Sequence, residues 1–197
     1  MNHLAHALLA GDGPGMVFGG LLADFVRGAP DPALPPAVRA GIRLHRRIDQ
    51  YTDAHPVVAS ARARFAPPLR RYAGILLDVW FDHCLARDFA RWSAAPLDVF
   101  SARVRAILVA HEAYAPPRMR DFVRYVQAHD LPAAYADRAE MVVTLIGLSR
   151  RLQRANPLAT ALPVLVADDA ALTRHFQDFF PAAMDFAAIA RARLTVA

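Results

Sequence analysis

The sequence predicts an all-α protein, a single-domain helical bundle over residues 1–197, and three observations lead to this prediction. Helix-forming segments alternate along the whole chain with breaks that contain proline or glycine. No segment alternates apolar and polar residues as a half-buried strand does. The length of 197 residues fits one domain with a sizeable apolar core, and neither an internal repeat nor a low-complexity linker divides it.

Prolines and glycines set the expected helix boundaries in the N-terminal half. We expect helices over 2–9, 16–27, 37–53, 57–65 and 69–92, of which the last is the longest. Gly28 is well placed as the C-terminal cap of the second helix. The third helix must end before Pro56, because the residue before a proline avoids the helical region.

The C-terminal half is expected to be helical in the same way. The expected helices cover 96–114, 117–128, 136–155, 164–180 and 181–194. Pro96 and Pro117 suit the first helical turn, where the missing N–H is not needed. Pro181 is expected to separate the last two helices.

Composition and charge narrow the class of function. No apolar run has the length of a membrane span, and the N-terminal segment does not have the pattern of a signal peptide. Cys84 is the single cysteine, so no internal disulfide can form, and a cytoplasmic protein is expected.

The formal charge is +5, and all 23 basic side chains are arginines. This charge favours an acidic partner, but the arginines are scattered without a recognition motif, so a nucleic-acid role is not expected.

Two aspartates interrupt the most apolar segment of the chain. Asp78 and Asp82 are four residues apart and therefore lie on one face of a helix. A buried carboxylate is costly unless it is paired or bound to a metal, so a positive group is expected beside them. A metal ion would serve, and so would a set of arginines. His83 points about 100° away from Asp82, but adjacent residues can share one ion that lies between them.

A second polar stripe lies in the expected third helix. His45, Asp49 and Asp53 follow one another at a spacing of four, with Arg46 and Arg47 beside them. This pattern suits metal ligation, or a carboxylate that orients a ligand histidine. Taken alone it also fits a solvated surface contact.

Two further helices carry acidic or histidine side chains within apolar sequence. Asp24 interrupts the second helix, where Arg27 could neutralise it, and His3 and His6 are three residues apart on the first. A helical bundle can bring such residues together at one interior metal site. Carboxylate and imidazole donors suit manganese, magnesium or iron better than a thiolate zinc site does. The sequence has neither a serine nucleophile elbow nor a glycine-rich phosphate loop, so those chemistries are not supported.

The order and spacing of these motifs over the first half of the chain resemble the acyl carrier protein phosphodiesterase family. The similarity is carried by the segments 2–6, 20–28, 45–53 and 77–83, and the aromatic-rich stretch 176–181 is also similar. The resemblance implies an all-helical fold like that of the HD-type metal-dependent phosphohydrolases. It also implies a divalent metal, Mn²⁺ first and Mg²⁺ or Fe²⁺ as alternatives. The implied reaction is hydrolysis of the phosphodiester between 4′-phosphopantetheine and the serine of an acyl carrier protein.

One departure limits what the wider superfamily implies about the site. The HD signature places His directly before Asp, whereas this chain has Asp82 followed by His83. The expected residues therefore rest on the family resemblance together with the burial argument. The expected catalytic residues are Asp24, His45, Asp78 and Asp82. The expected metal ligands are His6, Asp24, His45, Asp49, Asp82 and His83.

Arginines are expected to bind the anionic parts of the substrate. Arg27, Arg46 and Arg47 are expected to hold the phosphate. Arg62, Arg64, Arg70 and Arg71 form an expected docking patch for the acidic carrier protein. Two other functions fit the sequence: the same chemistry on a nucleotide or other small phosphoester, and a non-catalytic helical module that binds an acidic protein.

Overall fold

The computed structural model describes residues 2–195, which form ten α-helices and no strand. The predicted single all-α domain is confirmed. Within the described residues, no helix is both long and apolar enough to cross a membrane. The helices are α1 (His3–Leu9), α2 (Pro14–Leu22), α3 (Pro36–Ala54), α4 (Pro56–Ala63), α5 (Ala73–Arg87), α6 (Leu97–Ala110), α7 (Pro117–Ala128), α8 (Arg138–Arg151), α9 (Leu162–Ala167) and α10 (Asp169–Thr195).

Two helix predictions for the N-terminal half were too long. The expected helix over 16–27 ends at Leu22 and continues as a 3-10 turn, Ala23–Phe25. Gly28 does have a positive φ of 72°, but it follows this turn and does not cap the helix. The expected helix over 69–92 is the α-helix Ala73–Arg87 with a short 3-10 turn on either side.

The predicted break at Pro181 was wrong. Helix α10 continues through this proline. It is 27 residues long and is the longest helix in the described part of the chain. An internal proline costs about 3 kcal/mol because it removes a backbone hydrogen bond. The flanking side chains offset that cost: Phe179 and Phe180 are fully buried, and Ala183 is 1% exposed.

Helices α2 and α3 cross with their backbones in contact. A Cβ atom on Gly19 would lie 2.1 Å from the carbonyl oxygen of Val38, and one on Gly41 would lie 2.3 Å from that of Met16. Only glycine allows so close an approach at these positions. This crossing brings the C-terminal end of α2 beside the middle of α3.

Helix α5 lies in the centre of the domain. Its residues 76–77 and 79–86 are all buried, as its apolar sequence predicts. Trp80 is fully buried, and Phe81 packs 5.5 Å from the ring of Phe176 on α10. Helices α1 and α10 both contact α5, so α5 is the support on which α1 is positioned.

Candidate metal-binding site

The position of α1 is set by a buried carboxylate of α5. Asp82 accepts the backbone N–H groups of Leu4 at 2.8 Å and Ala5 at 3.1 Å. These are free N–H groups of the first turn of α1, which need acceptors, and the side chain of Asn2 does not cap them. Burial raises the pKa of Asp82 to about 7, although the two backbone donors act in the opposite direction. Asp82 therefore caps α1 from another helix.

Three side chains from α1 and α3 converge beside this contact. The Nε2 atom of His6 lies 3.1 Å from Oδ1 of Asp49, and the Nε2 atom of His45 lies 3.0 Å from Oδ2 of the same carboxylate. The two imidazole rings stack with their centroids 3.8 Å apart. One donor atom from each residue lies within 4.8 Å of the others. Both histidines are buried, whereas 40% of the Asp49 side chain is exposed.

Asp24 adds a second carboxylate from the 3-10 turn after α2. Its Oδ1 atom lies 3.5 Å from Nε2 of His45, and its Oδ2 atom lies 3.8 Å from Nε2 of His3. The Asp24 side chain is 48% exposed, so the cluster is open to solvent on this side. We call His6, Asp24, His45 and Asp49 the His–Asp cluster.

The two carboxylates determine how the cluster holds protons. Burial lowers the pKa of His45, but its contacts with Asp24 and Asp49 outweigh burial and raise that pKa to about 9. Burial and the neighbouring His45 together lower the pKa of His6 to about 4. Burial acts to raise the pKa values of both carboxylates, yet their contacts with the histidines hold them below the usual range. The ionised carboxylates of Asp24 and Asp49 therefore surround one protonated ring, that of His45.

The donor set fits a divalent cation. The Nδ1 atoms of His6 and His45 are buried and make no hydrogen bond within the described structure, whereas the Nε2 atoms of both rings face Asp49. Two ligand atoms at about 2.1 Å from one ion and at right angles lie about 3 Å apart, which is close to the His6–Asp49 and His45–Asp49 separations. Imidazole nitrogens with carboxylate oxygens suit Fe²⁺ and Mn²⁺. A cation would also replace the proton on His45 between the two carboxylates.

The structure thus brings together four of the expected ligands and leaves two elsewhere. His83 donates from Nδ1 to the carbonyl oxygen of Tyr135 at 2.9 Å, and Asp82 is occupied by α1. Asp82 and His83 thus have partners that sequence spacing could not reveal, and their expected roles as metal ligands stay predictions. Burial raises the pKa of Asp78, and the negative charge of Asp49 raises it further, while its expected catalytic role stays a prediction.

The expected phosphate-binding arginines have different surroundings. Arg46 donates to the carbonyl oxygens of Gly28 at 2.5 Å and Val26 at 3.4 Å, so it holds the loop that follows Asp24. Arg27 and Arg47 are exposed. Arg46 therefore stabilises this loop, and its expected contact with the phosphate stays a prediction.

The expected docking patch is partly neutralised by acidic side chains. Arg62 pairs with Asp53 at 2.5 Å, and Arg64 pairs with Asp168. Arg70 and Arg71 are exposed, and the guanidinium of Arg71 lies 5.1 Å from the ring centre of Tyr72. The positive charge of this patch therefore depends mainly on Arg70 and Arg71.

Sequence reasoning missed a cavity beside the cluster. It has a volume of about 430 Å³ and lies between α7, α8 and the start of α1. His3 lines this cavity and also contacts Asp24, so the cavity and the cluster share a wall. The sequence feature that could have indicated this cavity is the spacing of four between Val143, Gly147 and Arg151, which places them on one face of α8.

Comparisons with known proteins agree on one family. The family model described as acyl carrier protein phosphodiesterase matches residues 1–183. An acyl carrier protein phosphodiesterase of Escherichia coli O157:H7 is 38% identical over 185 residues, which cover 93% of this chain and 96% of the relative. A protein of the same name from Shigella boydii serotype 18 has the same identity and coverage. No solved structure matches the chain, so the expected likeness to HD-type phosphohydrolases stays a prediction.

Proposed function

This chain belongs to the acyl carrier protein phosphodiesterase family and is a phosphodiesterase, and we propose that it hydrolyses 4′-phosphopantetheine from holo acyl carrier protein in a metal-dependent reaction. The family name supports the substrate, because relatives that are 38% identical over 93% of the chain carry it. The geometry of the His–Asp cluster supports the metal. The reaction would leave the apo carrier protein and free 4′-phosphopantetheine.

The convergence of His6, His45 and Asp49 is the single observation on which the metal proposal depends. These residues would hold one divalent ion, Mn²⁺ in the first instance, with Fe²⁺ and Mg²⁺ as alternatives. Such an ion, when bound, supplies positive charge that lowers the pKa of a coordinated water and neutralises phosphoryl oxygens. Asp24 stands at the open side of the cluster, where a substrate would approach.

Asp24 is the residue best placed to act on the attacking water. Its pKa lies below the usual range, so it is ionised near neutral pH and can accept a hydrogen bond from the water and orient it. The water oxygen bonds to phosphorus, and the bond from phosphorus to the serine oxygen breaks. One water proton ends on that serine oxygen, and the other is released to solvent.

The carrier protein would dock through charge. Acyl carrier proteins are acidic, and the net charge of +5 on this chain favours their approach. Arg70 and Arg71 are the members of the expected patch that no acidic side chain neutralises in the contacts described above. We assign the main electrostatic contribution to these two residues.

Intact-protein mass spectrometry of holo acyl carrier protein tests the reaction directly. The protein is incubated with the substrate in the presence of Mn²⁺, Mg²⁺ or Fe²⁺, and again with a chelator. We expect a metal-dependent loss of the phosphopantetheine mass. An unchanged substrate mass with folded, metal-loaded protein would reject the carrier protein as substrate, and turnover of free nucleotides instead would favour the small-phosphoester function.

Replacing Asp49 tests the metal assignment. Asp49→Asn removes the carboxylate that lies against both histidines, so Mn²⁺ affinity should fall at least tenfold and kcat/KM at least a hundredfold. Isothermal titration calorimetry measures Mn²⁺ binding independently of turnover. The matched control is Asp53→Asn, one turn further along α3 and paired with Arg62, which should keep both values. Equal Mn²⁺ affinity in the two variants would remove Asp49 from the metal site.

A further inference from the structure

The cavity beside the His–Asp cluster has mostly apolar walls with a few polar groups. Phe122 of α7 and Val143 of α8 contribute apolar surface, and Val143 is 42% exposed. Thr144 and the hydroxyl of Tyr125, which donates to Glu140 at 3.2 Å, are among the polar groups. A volume of about 430 Å³ lies within the range of small-molecule sites, and such sites combine apolar walls with few polar groups.

One face of α8 forms the floor of this cavity. Val143, Gly147 and Arg151 follow one another at a spacing of four, so they lie in a row along the helix. A Cβ atom on Gly147 would meet no atom of residues 2–195 within 4 Å. The absence of a side chain at Gly147 is therefore not required for packing between helices, unlike at Gly19 and Gly41. It leaves open space over the middle of the row.

His3 connects the cavity to the cluster. Its Nδ1 atom lies 3.3 Å from the hydroxyl of Tyr135, which lines the cavity, and its Nε2 atom lies 3.8 Å from Oδ2 of Asp24. Arg151 lines the same cavity as His3. Arg151 also lines a neighbouring cleft that includes Phe25, the residue after Asp24. A positive side chain therefore stands where the cavity meets the cluster.

We propose that this cavity binds the pantetheine arm of the substrate, with the phosphate at the His–Asp cluster and Arg151 at the junction. The inference rests on the proposed function. The arm is an uncharged chain with two methyl groups, two amides and a thiol, so it matches apolar walls with scattered hydrogen-bonding groups. The phosphate at its end is anionic, and an arginine at the junction matches that charge.

Filling the cavity from α8 tests this inference. Val143→Trp and Gly147→Leu both place a larger side chain in the row, and neither position is tightly packed. The matched control is Val109→Trp, the same change at a valine of α6 that is 51% exposed and outside the cavity. Circular dichroism and thermal unfolding establish that each variant is folded.

Two measurements are made on each variant: KM for holo acyl carrier protein, and inhibition by free 4′-phosphopantetheine. We expect both KM and the inhibition constant to rise at least tenfold in Val143→Trp and Gly147→Leu. Both should stay within twofold of wild type in Val109→Trp. Unchanged values in the two cavity variants, with active wild-type protein, would overturn the inference and leave the proposed function intact. A wild-type protein that leaves holo acyl carrier protein unchanged would overturn both.

Discussion

At the scale of single residues, Asp82 and Asp49 represent two different ways to satisfy a carboxylate in a helical bundle. Asp82 is 1% exposed and accepts two backbone N–H groups of α1. Asp49 lies against two imidazole rings and is partly open to solvent. Both aspartates are four residues from another aspartate in their helix, so the local pattern does not distinguish them.

Replacing Asp82 should reduce stability more than it changes metal binding. Asp82→Asn keeps one carbonyl acceptor and loses the other, so one backbone N–H of α1 loses its partner. We expect the free energy of unfolding to fall by about 1–2 kcal/mol in urea titrations at pH 5. Asp178→Asn, at an exposed position of α10, is the control and should change stability by less than about 0.5 kcal/mol. A loss of Mn²⁺ affinity as large as that in Asp49→Asn would instead place Asp82 at the metal.

The raised pKa of Asp82 predicts a pH dependence of stability. A carboxyl group with a folded-state pKa of about 7 holds a proton in the folded protein that the unfolded chain releases above about pH 4. Its contribution to stability is therefore present at low pH and is lost as pH rises through about 7. The difference in unfolding free energy between wild type and Asp82→Asn should fall by at least about 1 kcal/mol from pH 5 to pH 7. A constant difference would mean that Asp82 is ionised throughout this range.

At the scale of secondary-structure elements, the crossing of α2 and α3 assembles the cluster. Asp24 follows α2 directly, whereas His45 and Asp49 lie in the middle of α3. The distance between these side chains therefore depends on how closely the two helices approach. Gly19 and Gly41 allow their backbones to touch, so two residues without side chains set part of the site geometry.

Adding a methyl group at this crossing should weaken both the fold and the site. In Gly41→Ala the new Cβ would meet the Met16 carbonyl oxygen at 2.3 Å, and backbone cannot move aside as a side chain can. We expect a loss of about 1–3 kcal/mol in unfolding free energy, with weaker Mn²⁺ binding, because Asp24 moves relative to His45. Gly74→Ala on α5 is the matched control, since its nearest contact would be at 3.8 Å. Equal stability of the two variants would contradict the role given to the α2–α3 crossing.

The course of α10 also shows how tertiary packing overrides a local signal. Pro181 interrupts the backbone hydrogen bonds of the helix, yet the chain continues through it. Phe176, Phe179 and Phe180 pack into the core on the preceding turn, and Ala187 is buried two turns later. If the helix ended at Pro181, either the phenylalanines before it or Ala187 after it would turn away from the core.

At the scale of the whole molecule, net charge should govern the encounter with the carrier protein. The chain carries +5, and exposed charges are screened over roughly 8 Å at physiological salt. The apparent KM for holo acyl carrier protein should therefore rise with salt concentration, while kcat changes little. A KM that does not change between low and high salt would reject electrostatic docking.

The docking patch can be tested separately from the total charge. Arg70→Ser with Arg71→Ser removes two exposed arginines, and we expect KM at low salt to rise about threefold to tenfold with a shallower salt dependence. Arg103→Ser is the control, because it removes an arginine of α6 that pairs with Asp12. Equal effects per arginine in the two proteins would assign the docking energy to net charge and not to this patch.

The sequence by itself determined the helical fold and most of the cluster. Its breaks at proline and glycine predicted helices, and the spacing of four between His45 and Asp49 predicted that they share a face. His6 and Asp24 stood out because each interrupts apolar sequence. These inferences hold because burial of a polar group is costly in any fold, so its residue type and spacing carry information without knowledge of its partner.

Only the tertiary structure decided which partner each buried polar group has. Asp82 binds backbone N–H groups and His83 binds a backbone carbonyl, and neither type of partner leaves a signature in side-chain identity. The cavity beside His3 likewise depends on residues more than 100 positions apart in the chain. Periodicity specifies the face on which a side chain lies, whereas the atoms opposite that face are set by how the helices cross.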